Sequence, residues 1–301
     1  MTDIGGLARE IGRACREVGF FYVSGHGLSD RQIVALFAAS RRFFALPIEA
    51  KERVSITNAL SNYGYVALGG ENLDPERPGD LKEAFNVGRD LTADDPDILA
   101  GTPFHAVNQW PDLPDFRPVL ISYFTAMQRL CERIHRAFAI DLGLPPDFFQ
   151  PYIDAPLATL RLLHYPPHPV VFDDRLYGAA PHTDYGNLTI LAQDDVGGLQ
   201  VRRRDGEWID APPLPGTFVC NIGDCLMRWS NDVYISTPHR VVNRSGRDRY
   251  SAAFFFDPNA DAPVECLPTC VGPTRPARYP PTTGAAYLKE RLDATYSYRQ
   301  Q

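Results

Sequence analysis

The run Ala158-Thr159-Leu160-Arg161-Leu162-Leu163-His164-Tyr165 opens the part of the chain that decides the fold. Its apolar residues follow a period of two, the spacing of a β-strand with one buried face. Short segments of the same kind, separated by Gly, Pro or Asp turns, continue to about residue 257. The predicted strands are 158–165, 187–192, 199–204, 207–210, 217–222, 233–243 and 249–257. Many short strands with turns between them predict a sandwich or a jelly roll.

Helical patterns flank this region on both sides. Apolar residues spaced by three and four predict an N-terminal helix, followed by a strand at 20–23, and a longer helix that begins near Pro118. Ser29 and Gln32 form a capping-box pattern that opens a further helix between them. The last helix is predicted at 283–293. We expect a mainly β fold with these helices over an outer face of one sheet.

The composition is that of an ordinary globular protein, with 301 residues, 44% apolar and 22% charged. A net charge of −7 offers no basic surface to a polyanion, so nucleic acid is not an expected partner. No apolar run approaches the roughly 18 residues of a membrane span, and the N-terminus lacks a signal-peptide pattern. We therefore expect a cytoplasmic protein with no membrane partner, and the sequence leaves its oligomeric state open.

The six cysteines are sparse and none forms a C-x-x-C pair. Cys220 and Cys225, and also Cys266 and Cys270, lie close together in the chain, but no histidine follows at the offset of a zinc finger. We interpret all six as buried or incidental thiols rather than as metal ligands.

The sharpest chemical signal is Pro181-His182-Thr183-Asp184. Side chains alternate along an extended segment, so His182 and Asp184 project from the same face. Alone, such a pair is more often a hydrogen-bonded surface pair than a metal site. His239 lies in another predicted strand, and a neighbouring or facing strand can bring it to the same place. Two imidazoles and one carboxylate are the facial triad of non-haem Fe(II), although the same ligands also suit a zinc hydrolase.

The segment Arg249-Tyr250-Ser251, ten residues after His239, separates these two possibilities. By strand parity Arg249 and Ser251 share a face, and a guanidinium beside a hydroxyl is suited to gripping a carboxylate. A hydrolase has no obvious need for such a grip. Taken singly, the segment also fits a surface arginine in an ordinary strand.

Together these blocks resemble the isopenicillin N synthase-like family of Fe(II)- and 2-oxoglutarate-dependent oxygenases, over nearly the whole chain. The blocks that carry the resemblance are Gly19–Gly27, Leu160–Pro167, His182–Leu191, Gly198–Val201, Asn221–Asp224, Ser236–Val241 and Arg249–Ser251. The resemblance implies a double-stranded β-helix, which is a distorted jelly roll, with iron held between its two sheets.

The resemblance also implies one oxygenase domain over residues 1–301. Within it, 1–150 is a mostly helical N-terminal region, 157–258 is the jelly-roll core that carries the iron site, and 259–301 is a C-terminal loop and helix. The implied iron ligands, and so the catalytic residues, are His182, Asp184 and His239.

The same resemblance assigns the co-substrate site. Arg249 and Ser251 would hold the distal carboxylate of 2-oxoglutarate, and Tyr165 would add a phenolic hydrogen bond. Leu163 stands where some members of the family have an asparagine, which removes one polar contact to the co-substrate and leaves its pose open.

The implied reaction oxidises a small-molecule metabolite by hydroxylation, desaturation or oxidative cyclisation and releases succinate and CO2. It requires Fe(II), 2-oxoglutarate and O2, with ascorbate keeping the iron reduced. Isopenicillin N synthase and the ethylene-forming oxidases retain an Arg-x-Ser that does not bind a keto acid, so a same-fold oxidase that does not use 2-oxoglutarate stays an alternative. A non-catalytic jelly-roll module is disfavoured because all five site residues are intact.

The substrate pocket gives weaker signals. Arg161 has the strand parity of Tyr165 and is a candidate to meet a carboxylate on the substrate, with a structural salt bridge as the competing interpretation. Phe254 and Phe256 alternate with Phe255, so one set lines the barrel while the other packs outside it. We name Phe254 and Phe256 as substrate candidates, with core packing as the alternative.

A lid is expected around the Gly69-Gly70 loop and the segment 80–85, by analogy with related enzymes. Tyr63, Tyr65 and Phe85 are candidate wall residues of the pocket there, and ordinary packing is the competing interpretation.

Overall fold

The computed structural model describes residues 4–58, 62–70, 79–167 and 177–295. Its helices are α1 (Ile4–Glu17), α2 (Asp30–Phe44), α3 (Ile48–Glu52), α4 (Pro96–Leu99), α5 (Phe116–Asp141), α6 (Asp224–Trp229) and α7 (Gly284–Thr295). Its strands are β1 (Phe20–Ser24), β2 (Gly64–Val66), β3 (Glu83–Val87), β4 (Pro156–Tyr165), β5 (Ala179–His182), β6 (Leu188–Gln193), β7 (Leu199–Arg202), β8 (Trp208–Asp210), β9 (Thr217–Ile222), β10 (His239–Val241), β11 (Arg249–Asn259), β12 (Pro263–Val264) and β13 (Thr282–Thr283).

Two antiparallel sheets form a jelly roll. The larger sheet has the strand order β1-β9-β6-β11-β4-β3-β2, and the smaller has the order β5-β10-β7-β8. The chain therefore passes repeatedly from one sheet to the other, as the expected double-stranded β-helix requires. Strand β11 lies between β4 and β6, with Arg249 opposite Tyr165 and Ser251 opposite Gln193. This register places the polar residues of three strands on one inner face.

Helices α2 and α5 cover the outer face of the larger sheet, where the main apolar core lies. Phe43 of α2 contacts Phe85 and Phe116, with ring centroids 4.5 Å and 5.3 Å apart. Phe124 of α5 meets Phe254 edge to face at 5.0 Å. Each such side chain contributes about 1.5–3 kcal/mol of burial free energy. The stable core is thus on the helical side, which leaves the face between the sheets available for chemistry.

The start of α2 confirms the capping box. Ser29 Oγ accepts a hydrogen bond from the Gln32 N–H at 3.4 Å, while Gln32 Oε1 accepts one from the Ser29 N–H at 3.0 Å. These two bonds satisfy backbone donors that a helix start leaves without partners.

The strand predicted at 233–243 is wrong over its first half, because only His239–Val241 is a strand. The preceding residues pair with the end of α1 instead. The Ile235 N–H donates to the Cys15 carbonyl at 3.0 Å, and Thr237 Oγ1 donates to the Val18 carbonyl at 2.7 Å. Pro238 has no N–H with which to continue a ladder.

Three short strands escaped the sequence pattern. β2 and β3 extend the larger sheet from the mostly helical N-terminal region, and β5 belongs to the smaller sheet. The last helix also differs from expectation. Leu288 and Leu292 of α7 line the cavity between the sheets, whereas we expected this helix on an outer face. Arg291 anchors α7 there, since its guanidinium lies 4.9 Å from the centre of the Tyr185 ring and 3.1 Å from Asp224 Oδ2.

Of the helices in the described part of the chain, none combines the length and the apolar character that a bilayer span requires.

Candidate active site

Three predicted ligands converge between the sheets. His182 ends β5 and His239 begins β10, where the two residues are direct partners across the strands, with ring centroids 4.3 Å apart. Asp184 follows β5, and its Oδ1 lies 3.8 Å from His182 Nε2 and 3.6 Å from His239 Nε2. Within the described residues, these three form a group whose donor atoms all fall within 4.8 Å of one another.

Hydrogen bonds orient both imidazoles toward a shared point. His182 Nδ1 donates to the Ala180 carbonyl at 2.7 Å, and His239 Nδ1 donates to the Thr237 carbonyl at 3.3 Å. Because Nδ1 carries the proton in each ring, the Nε2 lone pair is left for a metal.

The carboxylate is held in the same way. Thr189 Oγ1 and Asn221 Nδ2 donate to Asp184 Oδ2 at 2.6 Å and 2.7 Å, so Oδ1 is the oxygen that faces the histidines. Sequence reasoning did not single out Thr189 or Asn221 as supports of the ligand. They lie opposite each other in the β6–β9 ladder, a pairing that only the register reveals.

The protonation states also suit a cation. Burial, together with the neighbouring His239, lowers the pKa of His182 to about 3. Burial by itself would raise the pKa of Asp184, but His239, His182 and the two hydrogen bonds hold it below its usual value. At neutral pH His182 is therefore neutral and Asp184 is charged, which are the forms that ligate metals. Two nitrogens and one oxygen, fixed from behind, fit a divalent iron ion.

Arg249 is fully buried at the far end of this inner face. Its Nε donates to the Gly197 carbonyl at 2.5 Å, Nη1 to Ser251 Oγ at 3.2 Å and Nη2 to Gln193 Oε1 at 3.0 Å. The guanidinium lies 4.7 Å from the centre of the Tyr165 ring. Among the described residues no carboxylate forms an ion pair with Arg249. A buried positive charge with neutral neighbours favours an anionic ligand, and a carboxylate matches its fork geometry.

The cavity reaches from Arg249 past the three metal-ligand candidates to α7. Arg161 and Tyr63 line it, as does the Tyr165 side chain. The Tyr63 hydroxyl donates to the Phe104 carbonyl at 2.7 Å, which fixes that wall. The sequence-based placement of these residues on the pocket side therefore agrees with the structure.

Four other pocket candidates lie on the opposite side of the sheet, and their placement corrects the sequence-based interpretation. Phe85, Phe254 and Phe256 are fully buried in the core beneath α2 and α5. Tyr65 lies there too, and its hydroxyl donates to Glu83 Oε2 at 2.7 Å. Strand parity explains the outcome, because Arg249 faces inward and even-numbered residues of β11 must then face the helices.

The same parity identifies two cavity residues that we did not name as candidates. Phe255 and Asp257 continue the inward series that begins with Arg249 and Ser251, and both line the cavity. Burial, with a contribution from the charge of Asp184, raises the pKa of Asp257 to about 7.

The fold and the oriented donor set define a non-haem metalloenzyme whose buried cation accepts a carboxylate-bearing ligand. A family model of the 2OG-Fe(II) oxygenase superfamily matches residues 156–258. A second model, for the N-terminal part of a non-haem dioxygenase in morphine synthesis, matches residues 3–113.

Known proteins agree over almost the full chain. A 2-oxoglutarate-Fe(II) type oxidoreductase, hxnY of Emericella nidulans, is 38% identical over 283 residues, which cover 92% of this chain and 81% of that protein. A homoarginine-6-hydroxylase of Glycine max is 40% identical over 270 residues, covering 87% and 81%. This chain belongs to the 2OG-Fe(II) oxygenase superfamily, and it is a non-haem iron, 2-oxoglutarate-dependent dioxygenase.

Solved structures support the same assignment. A full-length Neurospora crassa enzyme in complex with alpha-KG and thymine has a TM-score of 0.86 and 34% identity, and the match covers 96% of this chain and 91% of that one. JOX2 in complex with 2OG, Fe and JA has a TM-score of 0.81 and 33% identity, with coverage of 95% and 80%.

Proposed function

We propose that His182, Asp184 and His239 bind the catalytic Fe(II) of this oxygenase. The observation that carries the proposal is the hydrogen bonding behind the three donors, which leaves two Nε2 atoms and one carboxylate oxygen directed at one point. Three ligands on one side of an octahedral ion leave three positions for the co-substrates.

Arg249, Ser251 and Tyr165 hold 2-oxoglutarate in this proposal. The guanidinium and the hydroxyl take the distal carboxylate, and the Tyr165 ring packs against the guanidinium. Leu163 adds an apolar contact to the same wall. The solved relatives bound to alpha-KG or 2OG support this use of the pocket over a same-fold oxidase that needs no keto acid.

Bound iron supplies the activation of O2, coupled to decarboxylation of 2-oxoglutarate to succinate and CO2. The protein's own residues orient and shield. Thr189 and Asn221 keep the Asp184 carboxylate from rotating, and Arg249 fixes one end of the co-substrate. Leu191 and Ala253 make the wall between these two anchors apolar, which limits water there.

The primary substrate is a small molecule with an anionic or acceptor group that meets Arg161. Arg161 lies directly across from Asn86 in the β3–β4 ladder, and both line the cavity. The relatives are named for or bound to different small molecules, among them homoarginine and thymine. The outcome of the oxidation depends on which substrate carbon these contacts place at the iron.

The proposal covers the whole chain as one oxygenase domain. Strands β1 to β3 of the 1–150 region complete the larger sheet of the 157–258 core, and α7 of the 259–301 region lines its cavity. A cytoplasmic location is part of the proposal, and the six free thiols, five of them buried, support it.

The test is succinate formation from 2-oxoglutarate with Fe(II) and ascorbate, in the presence and absence of small carboxylates. We expect slow turnover that needs both iron and keto acid and that rises at least tenfold with one class of carboxylate. Oxidation of a substrate at full rate without any keto acid would establish the same-fold oxidase instead.

A further inference from the structure

Asp257 is a buried carboxyl group in the cavity to which the proposed reaction gives no role. It lies on the inner face of β11, eight residues beyond Arg249, and only 7% of it is exposed. No side chain among the described residues donates a hydrogen bond to it or forms an ion pair with it. Its one polar support is the backbone N–H of Asn187.

Gly186 gives the carboxyl group its space. A Cβ at this glycine would lie 2.0 Å from Asp257 Oδ1, so the loop after the metal-ligand segment accepts only glycine while Asp257 keeps its position. The loop and the carboxyl group therefore fit each other, and the fit holds an acceptor at the cavity wall.

Arg161 and Asp257 face the same cavity at different depths. Arg161 is opposite Ala253 in the β4–β11 ladder, and Asp257 lies four residues further along β11. At about 3.4 Å per residue this separation is roughly 14 Å along the strand, before the two side chains reach inward. Phe255 and the α7 leucines Leu288 and Leu292 supply apolar wall on the way.

We propose that Asp257 binds a positively charged group of the primary substrate, a guanidinium or an ammonium, while Arg161 holds the carboxylate of the same molecule. This inference rests on the proposed function and narrows its substrate class to small amino or guanidino acids. An apolar span between opposite charges matches the methylene chain of such molecules.

Energetics favour this occupant. A carboxylate without a charged partner is costly to bury, and a cation removes most of that cost when both are desolvated together. A neutral substrate of the same shape supplies hydrogen bonds alone and gains less. The site therefore discriminates by charge as well as by length.

The experiment compares two probes that differ in one group. L-Homoarginine carries a guanidinium where L-homocitrulline carries a neutral urea. Each is titrated anaerobically by calorimetry into the full-length enzyme loaded with Fe(II) and 2-oxoglutarate. We expect homoarginine to bind at least tenfold more tightly than homocitrulline, and Asp257→Asn to remove most of that preference.

Asp257→Glu keeps the charge and should keep a preference for homoarginine, which makes the test independent of how well the Asn variant folds. Asp147→Asn is the matched control, because Asp147 is exposed and pairs only with Arg136 at 3.2 Å. This control should bind both probes as the wild type does.

Three results would overturn the inference: a wild type without preference for the cationic probe, a wild type that binds neither probe, or an Asp257→Asn variant that weakens both probes equally. Calorimetry with 2-oxoglutarate alone separates this failure from that of the proposed function. If the wild type binds 2-oxoglutarate with Fe(II) but ignores the charge of the probe, only the role of Asp257 is wrong.

Discussion

Two histidine–carboxylate clusters lie on opposite faces of the larger sheet region and have opposite chemistry. In the inner cluster, His182 gives its Nδ1 proton to a backbone carbonyl, and its Nε2 faces Asp184 without a hydrogen bond. In the outer cluster, both ring nitrogens of His164 donate to carboxylates, to Glu83 and to Asp248, at 2.7 Å each. The first arrangement leaves lone pairs for a cation, and the second uses them all.

The pKa values move apart for the same reason. Burial lowers the pKa of His182, whereas at His164 the hydrogen bonds and charges of Glu83 and Asp248 outweigh burial and raise it. Lys51 Nζ, 2.7 Å from Glu83 Oε2, completes the outer network and helps to lower the pKa of Glu83 against its burial. A buried histidine beside a carboxylate is thus a metal-ligand candidate when the backbone takes its other proton.

The largest effect is expected from removal of an inner ligand. His182→Ala or His239→Ala should abolish iron binding and turnover, a loss of at least about 1,000-fold, because two donors cannot hold the ion in place. The free energy of unfolding of the metal-free protein should change little. Calorimetric iron titration and urea unfolding check both statements. A variant that keeps full activity would remove that residue from the coordination sphere.

The outer cluster should show the reverse pattern. Glu83→Gln deprives Lys51 and His164 of their shared anion, and we expect the free energy of unfolding to fall by about 3–5 kcal/mol. Iron affinity at 25 °C should stay within about threefold of the wild type, since Glu83 is on the other face of the sheet. Unfolding by urea measures the first quantity. Lost iron affinity in a variant of unchanged stability would reverse the roles of the two clusters.

Arg249→Lys tests the second anchor of the inner face. An ammonium cannot reproduce the two parallel donors of a guanidinium, so 2-oxoglutarate affinity should fall by about 10- to 100-fold, with little change in iron affinity. Arg247→Lys is the matched control, because Arg247 is exposed and lies 3.3 Å from Asp195. Equal keto-acid affinity in wild type and Arg249→Lys would contradict the assignment.

The smallest effect is a pH dependence of the outer cluster. The pKa of His164 is higher in the folded protein than in the unfolded chain, so its contribution is complete below about pH 6.5 and is lost as pH rises through the folded value. Between pH 6 and 9 the wild type should therefore lose more stability than His164→Gln. Unfolding curves with the same slope against pH for both proteins would show that His164 is not charged in the fold.

Strand alternation was enough to predict the inner cluster. His182 and Asp184 were expected on one face, and the partner strand that carries His239 was expected from its position in the chain. The resemblance supplied the roles of Arg249 and Ser251, and their shared inward face agrees with it. These predictions depended on local periodicity, which the sequence states directly.

Periodicity did not reveal which face was inward. Phe254 and Phe256 were taken as pocket candidates because they are as apolar as Phe255, and only the packing of α5 on Phe254 decides between the two sets. The outer network was also hidden, since Glu83 and His164 are 81 residues apart and meet only through the register of β3 and β4. Long-range pairing of this kind leaves no short motif.

The most direct test of the account is a crystal structure of the enzyme grown without oxygen in the presence of Fe(II) and 2-oxoglutarate. Anomalous scattering at the iron edge should show one ion in contact with His182, Asp184 and His239, with the keto acid extending to Arg249. An ion bound elsewhere, or a keto acid whose distal carboxylate avoids Arg249, would contradict it.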